Sequence, residues 1–138
     1  MNMYKYQDFI DKTEHCPPQT CTPAEGSAYR FVFESMEESS FIPVIVKTPS
    51  RIFKNDTEKC SAFALSMYET ELQATKAFDS LQRRFKNIKQ SIGSHIAKAV
   101  LTSSMGNKTT SNHQGHFDLY EFRDTSLPTH FEIVGTLP

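Results

Sequence analysis

The side chains of this 138-residue chain whose types can ligate a metal or attack an electrophile are few: three cysteines, five histidines and scattered serines. His113 and His116 are close in sequence, while Cys16 and Cys21 lie far upstream. Zinc needs about four converging ligands, and zinc fingers supply them at tighter spacings than these. His113 falls in an expected loop and His116 at an expected strand start, so no metal site is predicted. Ser66, in Ala64-Leu65-Ser66-Met67, lacks the G-x-S-x-G surroundings of a nucleophile elbow, and no catalytic motif surrounds Cys60. A small side chain packed against a neighbour is the reading for Ser66, and a buried thiol the reading for Cys60. No glycine-rich phosphate loop occurs either, the five glycines being scattered.

Charge offers a second kind of chemistry. Arg83, Arg84, Lys86 and Lys89 cluster within two helical turns. At a helix C-terminus such a cluster complements the dipole and solvates a face. It also supplies a docking surface for an acidic partner or a phosphate backbone. Its counterpart is the acidic stretch Glu34, Glu37, Glu38, placed to meet the basic face of a second copy. With 15 Lys and Arg against 16 Asp and Glu, the formal net charge of −1 argues against a dedicated nucleic-acid binder.

These residues need a scaffold, and the composition provides one. Hydrophobic residues make up 38 %, with 11 Phe and 5 Tyr, which is globular rather than disordered. The length predicts one domain with one core. No apolar run approaches the roughly 18 residues of a membrane span. The N-terminus, Met1-Asn2-Met3-Tyr4-Lys5-Tyr6, has neither the apolar region nor the cleavage site of a secretory signal. A cytoplasmic location follows as the expectation. There, an odd cysteine count favours reduced thiols, Cys16 and Cys21 being the two that oxidation would bring together around Pro17 and Pro18.

Residues 1–28 read as an arm, with Tyr6, Phe9 and Ile10 on one side of a short helix that Pro17 and Pro18 stop. Its apolar side chains are expected to anchor on the domain or on a second subunit. The domain proper, 29–138, opens with Tyr29-Arg30-Phe31-Val32-Phe33, a strand by alternation. Phe41 to Val46 has strand composition, with Pro43 confining it to an edge. Pro49 to Lys59 reads as a loop, and Ser61 to Tyr68 as a strand. Thr70 and Gln73 form a capping box, after which Ala74, Phe78, Leu81, Phe85, Ile88 and Ile92 make one apolar stripe. One helix over 70–92, closed by Gly93, is predicted. His95–Thr102 and His116–Phe122 read as strands, Ser103–Gly115 as a long mobile connection, and Phe131–Val134 as a last strand. The fold class is α+β: a mostly antiparallel sheet with one long helix packed on a face and a short N-terminal helical arm.

This order of elements resembles ADP-ribosyltransferase-like domains, including the RES toxins. An Arg stands in the first strand (Tyr29-Arg30-Phe31). A strand with small and hydroxyl residues precedes the helix (Phe63-Ala64-Leu65-Ser66-Met67-Tyr68), and carboxylates end a late strand. The resemblance implies NAD as cofactor, held by Arg30, with Ser66 lining the nicotinamide site and Glu121 completing it. It lies in the order of elements over residues 29–121. The S-T-S and Q-x-E motifs are absent, no E-x-E falls on the late strand, and the chain has no Trp.

Taken together, the residues predict a small non-enzymatic binding module without a cofactor. It would act on a protein partner or by self-association, through Arg83, Arg84, Lys86 and Lys89. The alternative is an NAD-using enzyme built on Arg30, Ser66 and Glu121.

Overall fold

The computed structural model describes residues 3–138. Its centre is a seven-stranded antiparallel sheet. The strands are β1 (Thr22–Pro23), β2 (Gly26–Val32), β3 (Leu65–Tyr68), β4 (His95–Leu101), β5 (Gly106–Lys108), β6 (His116–Glu121) and β7 (Glu132–Thr136). They lie side by side in the order β1-β5-β6-β3-β2-β4-β7. The α+β class is therefore the observed one.

Alternation sorts the sheet residues onto two faces. One face carries Ala28, Val32, Leu65, Met67, Ala97, Ala99, Phe117 and Leu119, all buried with Phe41, Leu127 and Phe131. These last three come from 3-10 turns at Glu38–Phe41 and Leu127–Thr129 and the residues that follow. The other face carries Tyr29, Phe31, Tyr68 and Ile96, on which the long helix lays Ala74 and Phe78.

Among the described residues five helices flank the sheet: α1 (Gln7–Asp11), α2 (Val44–Lys47), α3 (Asp56–Ser61), α4 (Glu71–Arg84) and α5 (Ile88–Ile92). The Thr70 cap forms as its spacing demands: the hydroxyl accepts from the Gln73 N–H at 3.1 Å. The helix predicted over 70–92 is instead two, because Phe85 turns extended (φ −132°, ψ 114°). Geometry gives the reason. A straight helix over that range would run about 33 Å, whereas the chain must return to His95, which pairs with Val32. The break lets α5 tuck Ile88 and Ile92 back onto the same core. Gly93, at φ +115°, then lies against the Val32 backbone, where a Cβ would collide with its carbonyl.

Three further expectations are corrected. Phe41–Val46 is not a strand: a 3-10 turn ends at Phe41, and Pro43 caps the single turn of α2. Proline's fixed φ and missing donor suit a helix start as well as a sheet edge. The loop over Pro49–Lys59 contains α3, whose Asn55 side chain accepts from the Glu58 N–H at 2.9 Å. Within Ser103–Gly115 lies β5, paired with β6, and Met105 is buried beside it.

The N-terminal arm docks on the domain itself. Lys5 donates its N–H to the Glu121 carbonyl and Arg123 to that of Met3, which lays the chain along the end of β6. Ile10 is buried with Cys60, Phe63, Ala64 and Tyr120, and Phe9 stacks on Phe63. That packing brings Cys16 within 5.5 Å (Cα to Cα) of Cys60, and the two form a disulfide. The expectation of reduced thiols, with Cys21 as the partner of Cys16, is thereby corrected: α3, unforeseen, carries Cys60 to the arm. Cys21 is free and half-buried.

Candidate functional site

Between β2 and β3 the ladder holds at one pair, Tyr29 opposite Tyr68. Beyond it, toward Val32 and Leu65, Arg30 takes over the bonding. Its Nη1 donates to the Ser66 carbonyl and its Nε to the Ser40 carbonyl, both at 2.9 Å, and its guanidinium lies over the Phe41 ring. At this end of the sheet a cleft of about 1560 Å³ opens, walled by α2, α3, the end of α4 and α5.

The cleft is basic. Arg30, Lys47, Arg51, Arg84 and Lys86 line it, against the single carboxylate of Glu58. Phe31, Phe33, Phe53 and Phe85 add aromatic surface. Burial lowers the Arg30 pKa to about 10, with the charge of Glu121 opposing the shift. Lys47 reaches across from α2 to donate to the Ser91 carbonyl on α5, and its ammonium sits over the Phe33 ring. Burial, and after it the nearby Arg30 charge, hold Lys47 below the ordinary lysine range.

Ser66 and Ser61 reach the cleft from a polar cluster on the helix-covered face of the sheet. Ser66 Oγ lies 3.1 Å from His116 Nε2. The same nitrogen lies 3.8 Å from Asp118 Oδ1, and Asp118 Oδ2 accepts from Ser61 Oγ at 2.7 Å. A Ser-His-Asp relay uses both ring nitrogens, one for the serine and one for the carboxylate. Here Nε2 faces both, so Asp118 cannot orient the imidazole toward Ser66 as a general base. The cluster ties β3 to β6 and offers hydroxyls to the cleft. Burial raises the Asp118 pKa, opposed by the Ser61 hydrogen bond and the His116 charge.

No family model, curated protein or solved structure matches this chain. The geometry alone therefore bears on its function.

Of the residues named from sequence, Arg30 and Ser66 meet in the cleft. Glu121 does not line the cleft. Ser66 pairs with Asp118, so alternation along β6 turns Glu121 to the face opposite Ser66, the face Arg30 shares with Ala28 and Val32, and its charge acts on Arg30. There it is buried, with Lys5 Nζ 3.7 Å from Oε1 and no hydrogen bond to that oxygen. Burial chiefly, opposed by Lys5, raises its pKa to about 7. The basic cluster divides: Arg84 and Lys86 line the cleft, whereas Arg83 and Lys89 do not. Of the acidic stretch, Glu38 pairs with Lys5 at 3.4 Å. Among the described residues no three His, Cys, Asp or Glu side chains gather as metal ligands, and no helix is long and apolar enough to cross a membrane.

Nothing in the sequence reading marks Lys47, Arg51 or Asp118 as site residues, and His116 enters it only as a possible metal ligand. For the last two a signal existed: His116 and Asp118, two apart on a strand, share a face. Lys47 and Arg51 stand on segments read as strand and loop, where no periodicity marks a cleft wall.

Proposed function

We propose that this chain is a small non-enzymatic binding module that takes an acidic segment of a protein partner into the basic cleft. The observation that carries this reading is the charge of the lining, five cations and one carboxylate, on a chain whose overall charge is −1. Positive charge gathered on a chain without a basic excess speaks for local complementarity, which governs encounter and specificity. A second copy belongs among the candidate partners, since Glu34 and Glu37 are exposed in a loop.

The test is fluorescence anisotropy with a labelled oligo-glutamate peptide, alongside sedimentation for self-association. The double reversal Arg84→Glu with Lys86→Glu should weaken binding about tenfold at low salt and leave the melting temperature nearly unchanged. Reversal of Arg83 and Lys89 should do much less. Equal binding by both double variants and the parent would sink the reading.

An NAD-using enzyme is the second reading, supported by Arg30 and Ser66 lining one cleft and weakened by Glu121, which does not line it. A rise in melting temperature with NAD would favour it, because a ligand bound by the folded state alone stabilises that state. For the compartment, the sequence argues the cytoplasm and the Cys16–Cys60 disulfide argues an oxidising space. Alkylation at lysis separates them: three modified thiols for the first, Cys21 alone for the second.

A further inference from the structure

Resting on the acidic-partner reading, we propose that Arg30 and Lys47 form a site for a phosphomonoester, the phosphorylated serine or threonine of the partner segment. Two donors of Arg30, Nε and Nη1, are committed to the Ser40 and Ser66 carbonyls. Those bonds fix the guanidinium plane, while Nη2 has no partner among the described residues. No carboxylate of the described residues lies within ion-pair distance of Arg30. Lys47 is anchored by one hydrogen bond to the Ser91 carbonyl, which leaves its ammonium further donors. Arg30 feels the charge of Glu121 and still, after burial, holds Lys47 below the ordinary lysine range. An anion within reach of both cations reverses that cost.

A phosphomonoester fits these donors better than a carboxylate. It carries about −1.5 to −2 charges and three strong acceptor oxygens, and arginine clusters are its common recognition device. The exposed Ser66 hydroxyl also lines the cleft, and it has a proton to donate when His116 Nε2 supplies the one in their shared hydrogen bond. The overall charge also favours a peptide over a nucleic-acid strand. A strand's phosphate backbone calls for a basic excess, whereas this chain's formal net charge is −1. Val44, Phe53 and Phe85 offer apolar surface around it for flanking side chains.

The experiment compares three labelled pentapeptides, each of four glutamates around a centre that is serine, phosphoserine or glutamate. Binding is read by anisotropy to the parent chain, to Lys47→Met and to Arg84→Glu with Lys86→Glu. The phosphorylated peptide should bind about tenfold tighter than the other two, a difference of about 1.4 kcal/mol. That gain should vanish in Lys47→Met, and the cleft-rim double variant should weaken all three peptides alike. Lys47 is exposed, so its variant keeps the fold; Arg30→Gln is the confirming variant where its melt shows it folded. Three peptides binding equally, and all weakened by the rim variant, overturn the phosphomonoester site and leave the acidic-partner reading standing. No binding by any peptide removes both. A phosphoserine gain that survives Lys47→Met places the site elsewhere and overturns the proposal. Labelled oligo-uridylate binding in a Lys47-dependent manner, with no phosphoserine gain, overturns it in favour of nucleic acid.

Discussion

Arg30 donates to the Ser66 carbonyl at 2.9 Å, in the place where hydrogen bonding between β2 and β3 would otherwise continue. A side chain thus does for the sheet what a backbone amide does elsewhere in it, and in doing so holds a cation at the base of a cleft. Replacing it strips two carbonyls of their donor. Hydrogen bonds to charged groups contribute roughly 1.5–3 kcal/mol each, while removing a buried charge returns part of that loss. Arg30→Met is therefore expected to cost about 2–4 kcal/mol in urea melts. A cost under about 0.5 kcal/mol would mean that the two carbonyls find other donors.

Glu121 gives the fold a definite pH dependence. Its folded pKa of about 7 lies above that of an unfolded glutamate. Between those two values the folded chain holds a proton that the unfolded chain has released. Stability should accordingly fall as pH rises through that window and level off above it. Glu121→Gln should flatten the slope and exceed the parent by about 1–3 kcal/mol near pH 8. Lys5, Glu38 and Arg30 also act on this carboxylate. Melts at several pH values, with Lys5→Met as a companion, check the assignment: an unchanged slope in the Gln variant would place the titration on another group.

The long helix should show graded sensitivity. Phe78 is fully buried against Phe31, whereas Leu81 is half-buried and borders the cleft. Phe78→Ala should cost about 3–5 kcal/mol, and Leu81→Ala roughly half as much or less. The reverse ranking in denaturant melts would mean that the helix presents a different face to the sheet.

Sequence periodicity carried the parts of this fold in which one side chain after another meets the same surface. The stripe of Ala74, Phe78 and Leu81 and the alternation in His116–Glu121 are of that kind. Failures fell where a single local contact decides the structure. Phe85 breaks the helix with neither Pro nor Gly to announce it, because the return to β4 sets the length. The cap at Asn55, with Glu58 three residues on, was legible as a helix start and was overshadowed by the polarity around it. Phe41–Val46 has strand composition, yet its apolar residues serve a 3-10 turn and one turn of α2. The site was legible only in part for the same reason. Arg30 and Ser66 stand on periodic elements, and so does the helix bearing Arg84. Lys47 and Arg51 reach the cleft from segments whose course depends on tertiary packing.

Cys16 and Cys60 enclose 44 residues of sequence separation. Closing a loop of that length stabilises by roughly 2–4 kcal/mol, chiefly through the unfolded chain. A reductant should lower the urea midpoint accordingly, and Cys60→Ser should make the protein indifferent to reductant. Cys21→Ser should leave the response intact; its loss in that variant would mean that Cys21 takes part in the bridge.

The same bridge changes what a protease can accomplish. The segment it encloses includes the exposed stretch Lys47–Arg51 and the whole of β2, Arg30 included. A single cut inside that loop makes two polypeptides that remain one molecule. Trypsin acting at Lys47 or Arg51 would leave the mass on a non-reducing gel unchanged, and the two pieces would part only when thiol is added. The cleft floor thus stays covalently tied to its wall through a nick that would set a linear chain's fragments free.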